Sequence, residues 1–218
     1  MATALNLPQH LEEGGVEGID SISPTGALTQ VAIREGTASD PVPTKILVRQ
    51  IGLVDGPGGP FGFIGPDATR PFSVQAFDRI IDDLLEGSYA PMPSAPLFNR
   101  PLDVNCSDTT LFIFYLSSQR DWRFTRRARA VTLGDFDEQE QKNYYGLRHV
   151  TNEGISGAPP LTSDCKIAFF TAKKSSDRFA HPFNLNIELL YTSDTEGENT
   201  VPMVIDPDVR YPGGSGSE

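Results

Sequence analysis

The sequence predicts a mainly β protein: an antiparallel β-sandwich with one short α-helix and an irregular N-terminal arm. Three observations lead there. Short β-branched and aromatic runs recur along the chain, separated by turn residues. One segment alone repeats its apolar residues at helical spacing. The alternating strand–helix rhythm of a nucleotide-binding α/β fold is missing. With 18 prolines and 20 glycines in 218 residues, turns are frequent and strands short.

Residues 1 to about 26 are acidic, rich in glycine and poor in aromatics, as in a solvated arm. Ala27 to Arg34 alternates weakly and reads as an edge strand, and Glu35 to Pro43 as a linker. Lys45 to Ile51 is a better strand. Gly56 to Gly65 is glycine-rich but fails as a phosphate loop. No Lys followed by Ser or Thr closes it, and its prolines remove amide donors. Ser73 to Gly87 is the helix. Ser73 caps it, Gly87 ends it, and Val74, Phe77, Ile80, Ile81, Leu84 and Leu85 form one stripe.

Tyr89 to Pro101 is proline-rich and extended. Thr109 to Leu116 is the densest apolar run and reads as a strand buried on both faces. Arg123 to Val131 is a candidate returning strand of a hairpin, with the single tryptophan, Trp122, buried against the Leu111–Leu116 run. Tyr144 to Val150, Lys166 to Ala172, Asn184 to Leu190 and Val201 to Ile205 are further strands. Gly154 to Ser163 and Thr195 to Thr200 read as loops, Asp206-Pro207-Asp208 as a turn. The expected organisation is an arm and linker over residues 1–43, one sandwich domain over 44–212, and a flexible tail over 213–218.

A net charge of −11 argues against general nucleic-acid binding. No 18-residue apolar run is present, and the first ten residues lack the basic and apolar regions of a secretory signal. The expected location is the cytoplasm. Cys106 and Cys165 are then reduced, buried thiols, each just ahead of an apolar strand.

Five segments share wording with a known group: Pro71 to Phe77, Leu97 to Asp103, Asp121 to Phe124, His181 to Asn184 and Ile205 to Asp208. They resemble small bacterial proteins often labelled "nucleotide synthetase". The resemblance covers about Phe61 to Ser215 and implies nucleotide chemistry. It carries no catalytic residue onto this chain.

The residues themselves offer few centres for chemistry. His10, His149 and His181 lack a nucleophile-elbow motif and read as structural or exposed. No zinc-ligand spacing is present, and no metal or cofactor is expected. The arginines stand out: Arg120, Arg123, Arg126, Arg127 and Arg129 fall within ten residues. On a strand, Arg123, Arg127 and Arg129 would share a face suited to phosphate or carboxylate. The competing expectation pairs them with Asp135, Asp137, Glu138 and Glu140 across the following turn.

Taken alone, these residues favour a non-enzymatic interaction or self-assembly module over an enzyme. Its partner would be a second copy of the chain, a small anion or an acidic protein surface. The alternative is a nucleotide- or anion-binding protein, or a nucleotide-handling enzyme, that uses the Arg123, Arg127 and Arg129 face.

Overall fold

A computed structural model describes residues 41–52, 68–89, 104–117, 121–133, 144–156, 160–174, 181–193, 197–205 and 208–210. The expected edge strand at Ala27 to Arg34, the glycine-rich stretch, the proline-rich stretch and the acidic residues from Asp135 to Glu140 lie outside them. Among these described residues, twelve strands and one helix follow in order. They are β1 (Lys45–Ile51), β2 (Ala68–Pro71), α1 (Val74–Leu85), β3 (Val104–Asn105) and β4 (Thr110–Leu116). Next come β5 (Trp122–Phe124), β6 (Val131–Leu133), β7 (Tyr144–Thr151) and β8 (Gly154–Ser156). The last are β9 (Cys165–Ala172), β10 (His181–Ser193), β11 (Gly197–Ile205) and β12 (Asp208–Arg210).

Among the described residues the fold is mainly β with a single helix, as the sequence predicts. Most pairings are antiparallel, but β1 runs parallel to β4 and β12 parallel to β3, so the sheet is mixed and does not close. The long connection from β1 through β2 and α1 permits the parallel return, which a tight hairpin would forbid. Gly154–Ser156, read as loop, forms β8, and Gly197–Thr200, read as loop, belongs to β11.

The centre of the sheet is β1, β4 and β9, with β7 beside β9. Side chains alternate across it with period two. Ile46, Val48, Leu111, Ile113, Tyr115, Ile167 and Phe169 face α1, whose Phe77, Ile80 and Ile81 are buried against them. The Phe77 and Phe169 rings meet edge to face at 5.0 Å. Leu47, Phe112, Phe114, Leu116 and Phe170 face the other way, onto Trp122, Phe124, Phe183, Leu185 and Ile187 of β5 and β10. The β4 run is therefore buried on both faces because a helix covers one and a second layer of strands the other.

The expected hairpin between β4 and the arginine segment does not form. β4 is flanked by β1 and β9, while β5 pairs with β10 and touches β9. The strand character also stops at Phe124, and Thr125 to Ala130 forms bends before β6. Trp122 is nevertheless buried beside Phe112, Phe114 and Leu116, as expected. Cys106 and Cys165 are buried and free. Because β4 and β9 are antiparallel, the two cysteines sit at opposite ends of that pair, about 20 Å apart along the strands.

Local chemistry fixes the helix as read. Ser73 Oγ accepts the Ala76 N–H at 3.1 Å, an N-cap. At the other end Ser88 N–H donates to the Asp83 carbonyl and Gly87 N–H to the Leu84 carbonyl. This Schellman closure requires the left-handed φ of +70° at Gly87, which glycine reaches without steric cost. A second left-handed glycine, Gly146, makes a bulge in β7: Tyr145 opposes Thr171 and Arg148 opposes Phe169. The bulge swaps faces, so Tyr144 and Leu147 join the strand-covered core while Val150 joins the helix-covered one.

The same bulge turns His149 inward, where it is completely buried. Its Nε2 accepts the Ala130 N–H at 2.9 Å, and Nδ1, 3.4 Å from the Ser156 carbonyl, then carries the proton. Burial, followed by the charges of Arg129 and Arg148, holds the imidazole below its ordinary pKa. The unfolded chain therefore binds the proton more tightly. We expect stability to be complete above the ordinary histidine range near pH 6.5 and to fall as pH drops toward the depressed folded value, by at most ~1.4 kcal/mol per pH unit. Urea unfolding between pH 7.5 and 5 checks this. His149→Gln should flatten the slope, and an unchanged slope would contradict the assignment.

Candidate functional site

β1 and β4 end side by side, joined where Ser117 N–H donates to the Ile51 carbonyl at 2.8 Å. Helix α1 starts over the beginning of β1, where Phe72 N–H reaches the Thr44 carbonyl, and runs toward these carboxyl ends. Its closing turn, with Tyr89, the carboxyl ends of β1, β4 and β7, and the start of β9 enclose a cleft of about 560 Å³. That size suits a small-molecule ligand. Crevices at the carboxyl ends of parallel strands are also where open α/β sheets bind theirs.

The walls divide by chemistry. Leu84, Val150 and Ile167 are apolar, and Tyr89 and Tyr115 meet edge to face at 5.7 Å. Gln50, Ser117, Thr151 and Asn152 supply neutral donors and acceptors. Strand alternation places Gln50, Tyr115 and Ser117 on the helix-facing side of the sheet. Tyr115 is 8% exposed and Ser117 2%, yet neither hydroxyl has a hydrogen-bond partner among the described residues. Burial, reinforced by Tyr89, pushes the Tyr115 phenol well above its ordinary pKa, so it is a neutral donor throughout the physiological range.

The charged side chains of the lining are Glu86, Asp164 and Lys166. Asp164 belongs to a network. Its Oδ1 accepts from Arg123 Nη1 at 2.9 Å and from Arg126 Nη2 at 2.5 Å. Partial burial alone would raise this carboxyl, but the hydrogen bonds from Arg126 and Arg123 outweigh it and hold the group below the usual range. Arg123 Nε also donates to Glu188 Oε2 at 3.0 Å, and Thr125 Oγ1 to Glu188 Oε1 at 2.8 Å. Arg123 and Glu188 are direct cross-strand neighbours of β5 and β10.

The three arginines singled out in the sequence thus part company. Arg123 is buried and engaged with Glu188 and Asp164 rather than presented on an open face. Arg127 and Arg129 lie in the bends after β5, and their exposed guanidiniums form no hydrogen bond or ion pair among the described residues. Among the described residues no His, Cys, Asp and Glu cluster suits a metal ion. No described helix is long and apolar enough to cross a membrane.

A family model described as "predicted novel nucleotide synthetase" matches residues 83–214, more than half of the chain. The chain belongs to this predicted nucleotide synthetase family. The matched span holds every cleft residue discussed above except Gln50, together with the whole arginine network. Leu84, at the end of the helix, also falls inside it. The resemblance read from the sequence names the same family. Comparison with curated proteins and with solved structures gave no match.

The cleft residues escaped the reading of the sequence because strand pairing alone assembles them. One signal was present. Tyr115 is the only hydroxyl-bearing residue in the run Leu111–Leu116, and Ser117 follows two positions later on the same face.

Proposed function

We propose that this chain binds a nucleotide in the cleft at the carboxyl ends of β1 and β4 and takes part in nucleotide synthesis, the activity for which its family is named. The observation that carries the reading is the cleft's lining: an aromatic and aliphatic wall facing neutral amides and hydroxyls, with Lys166 present for a phosphate. Such a lining stacks a base, reads its edge and meets one negative group. Membership of the predicted nucleotide synthetase family favours this reading over the self-assembly module that the residues alone suggested.

The arginine face takes a different part than its spacing implied. Arg123 would act through Asp164, whose carboxylate it neutralises at the cleft wall. Arg127 and Arg129, exposed and without described partners, form a second surface for an anion or an acidic protein. Self-association of the chain through that surface is the partner reading that accompanies it.

The test is a panel of nucleoside mono-, di- and triphosphates with Mg²⁺, read by thermal melting and by chromatography of products. At about 100 times its dissociation constant, the right ligand stabilises the protein by ~2.7 kcal/mol. We expect at least one nucleotide to raise the melting temperature. A panel with no shift and no conversion would remove nucleotide handling from this chain.

A further inference from the structure

We propose that Tyr115 and Ser117 are the specificity-determining hydroxyls of this cleft, hydrogen-bonding the uncharged nucleoside end of the ligand while its phosphates stay at the mouth. The inference rests on the nucleotide-handling reading and deepens it.

Two observations carry it. The first is the pair of unmet hydroxyls. A buried donor without a partner weakens a fold, because it gives up water and gains nothing. Among the described residues two such hydroxyls occur two positions apart, Tyr115 in β4 and Ser117 just after it, on one face, and both line the same cleft. The residues between Thr110 at the start of β4 and Tyr115, Leu111 to Phe114, are all apolar, and the Thr110 hydroxyl, away from the cleft, is satisfied by the Asp108 carbonyl. A ligand that supplies a carbonyl, ring nitrogen or sugar hydroxyl would meet Tyr115 as a donor and Ser117 as donor or acceptor.

The second observation is charge. Arg123 and Arg126 are balanced by Asp164 and Glu188, and the remaining charges of the lining are one Lys166 and one Glu86. The lining is therefore close to neutral. The helix also ends at the cleft with its carbonyl pole, which repels anions. A polyphosphate gains little inside such a cleft, whereas a base and sugar gain apolar contact and hydrogen bonds. The arrangement differs from sites that seize phosphates on a helix N-terminus.

A site built to hydrogen-bond its ligand loses much of its affinity when the bond is removed. The experiment is calorimetric titration of the full chain with the nucleotide selected by the panel, its nucleoside, its free base, ribose 5-phosphate and inorganic triphosphate. Tyr115→Phe and Ser117→Ala are titrated alongside. We expect the nucleoside to bind, and each variant to weaken both nucleoside and nucleotide about tenfold. Binding of the base or of the sugar phosphate tells which half of the nucleoside the hydroxyls hold. The unliganded variants should melt at or above the wild-type temperature, because each removes an unmet polar group.

Wild-type affinity in both variants would overturn the assignment and leave nucleotide handling standing. Binding of inorganic triphosphate but not of the nucleoside would overturn it likewise. So would a clear drop in melting temperature of the unliganded variants, since the hydroxyls would then serve the fold. If no nucleotide binds the wild type, both readings fall together.

Discussion

Replacing Trp122 by alanine is expected to cost ~3–5 kcal/mol, the range for removing a large buried aromatic side chain. The indole is completely buried in the strand-covered core, where Phe112, Phe114 and Leu116 pack with Phe124. It opposes Leu189 across the β5–β10 ladder. Its Nε1–H also donates to the Ser117 carbonyl at 2.6 Å, so the substitution leaves a buried acceptor unmet as well as a cavity. Trp122→Phe should cost less, because it keeps most of the apolar volume and loses mainly the hydrogen bond. Urea unfolding should show a lower midpoint with an unchanged slope. A cost below ~1 kcal/mol would contradict the burial. The same hydrogen bond ties the core to the cleft wall, so Trp122→Phe should also weaken ligand binding by loosening Ser117.

The second large effect is expected at Arg123. Arg123→Leu leaves the Glu188 carboxylate buried with the Thr125 hydroxyl but without its cationic neighbour. Breaking a buried pair from one side typically costs ~3–5 kcal/mol, more than the pair itself contributes. Arg123→Leu combined with Glu188→Leu should recover most of that loss, because the uncompensated charge goes with its partner. The cycle of single and double variants, measured by urea unfolding, isolates the coupling. Raising ionic strength should change it little, since salt screens buried pairs poorly. An exposed pair would instead give ~0–1 kcal/mol and a marked salt dependence, and that outcome would contradict the network described.

Local signals carried much of the fold. Ser73 and Gly87 bracket the helix because a cap hydroxyl and a left-handed glycine are chemical requirements, readable without any partner. The run from Thr109 to Leu116 announced a strand covered on both faces, and β4, Thr110–Leu116, is one. Which strand lies beside it was not legible, because pairing depends on tertiary packing that no neighbouring residue reports. The candidate hairpin failed for that reason: β1 and β9 take both edges of β4 and displace the arginine segment.

The arginines show the same limit in electrostatic form. Nearness in sequence suggested Asp135 to Glu140 as their partners, residues outside the described ones. The described partners, Asp164 and Glu188, come from 41 and 65 positions further along and meet Arg123 through sheet register. The cleft was least legible of all. Gln50, Ser117, Asn152 and Lys166 are ordinary residues at strand ends, and only the joint ending of β1, β4 and β7 against the start of β9 makes them a lining.

The proposed chemistry depends first on where the ligand sits. Asn152 stands on the exposed turn after β7 and lines the cleft, so Asn152→Trp would fill the space while leaving the core untouched. The decisive measurement is calorimetric titration of this variant and the wild type with the nucleotide chosen by the melting panel. One site per chain in the wild type, and binding lost in a normally melting Asn152→Trp protein, is the predicted result. Equal binding by both proteins would contradict it and place the nucleotide elsewhere on the molecule.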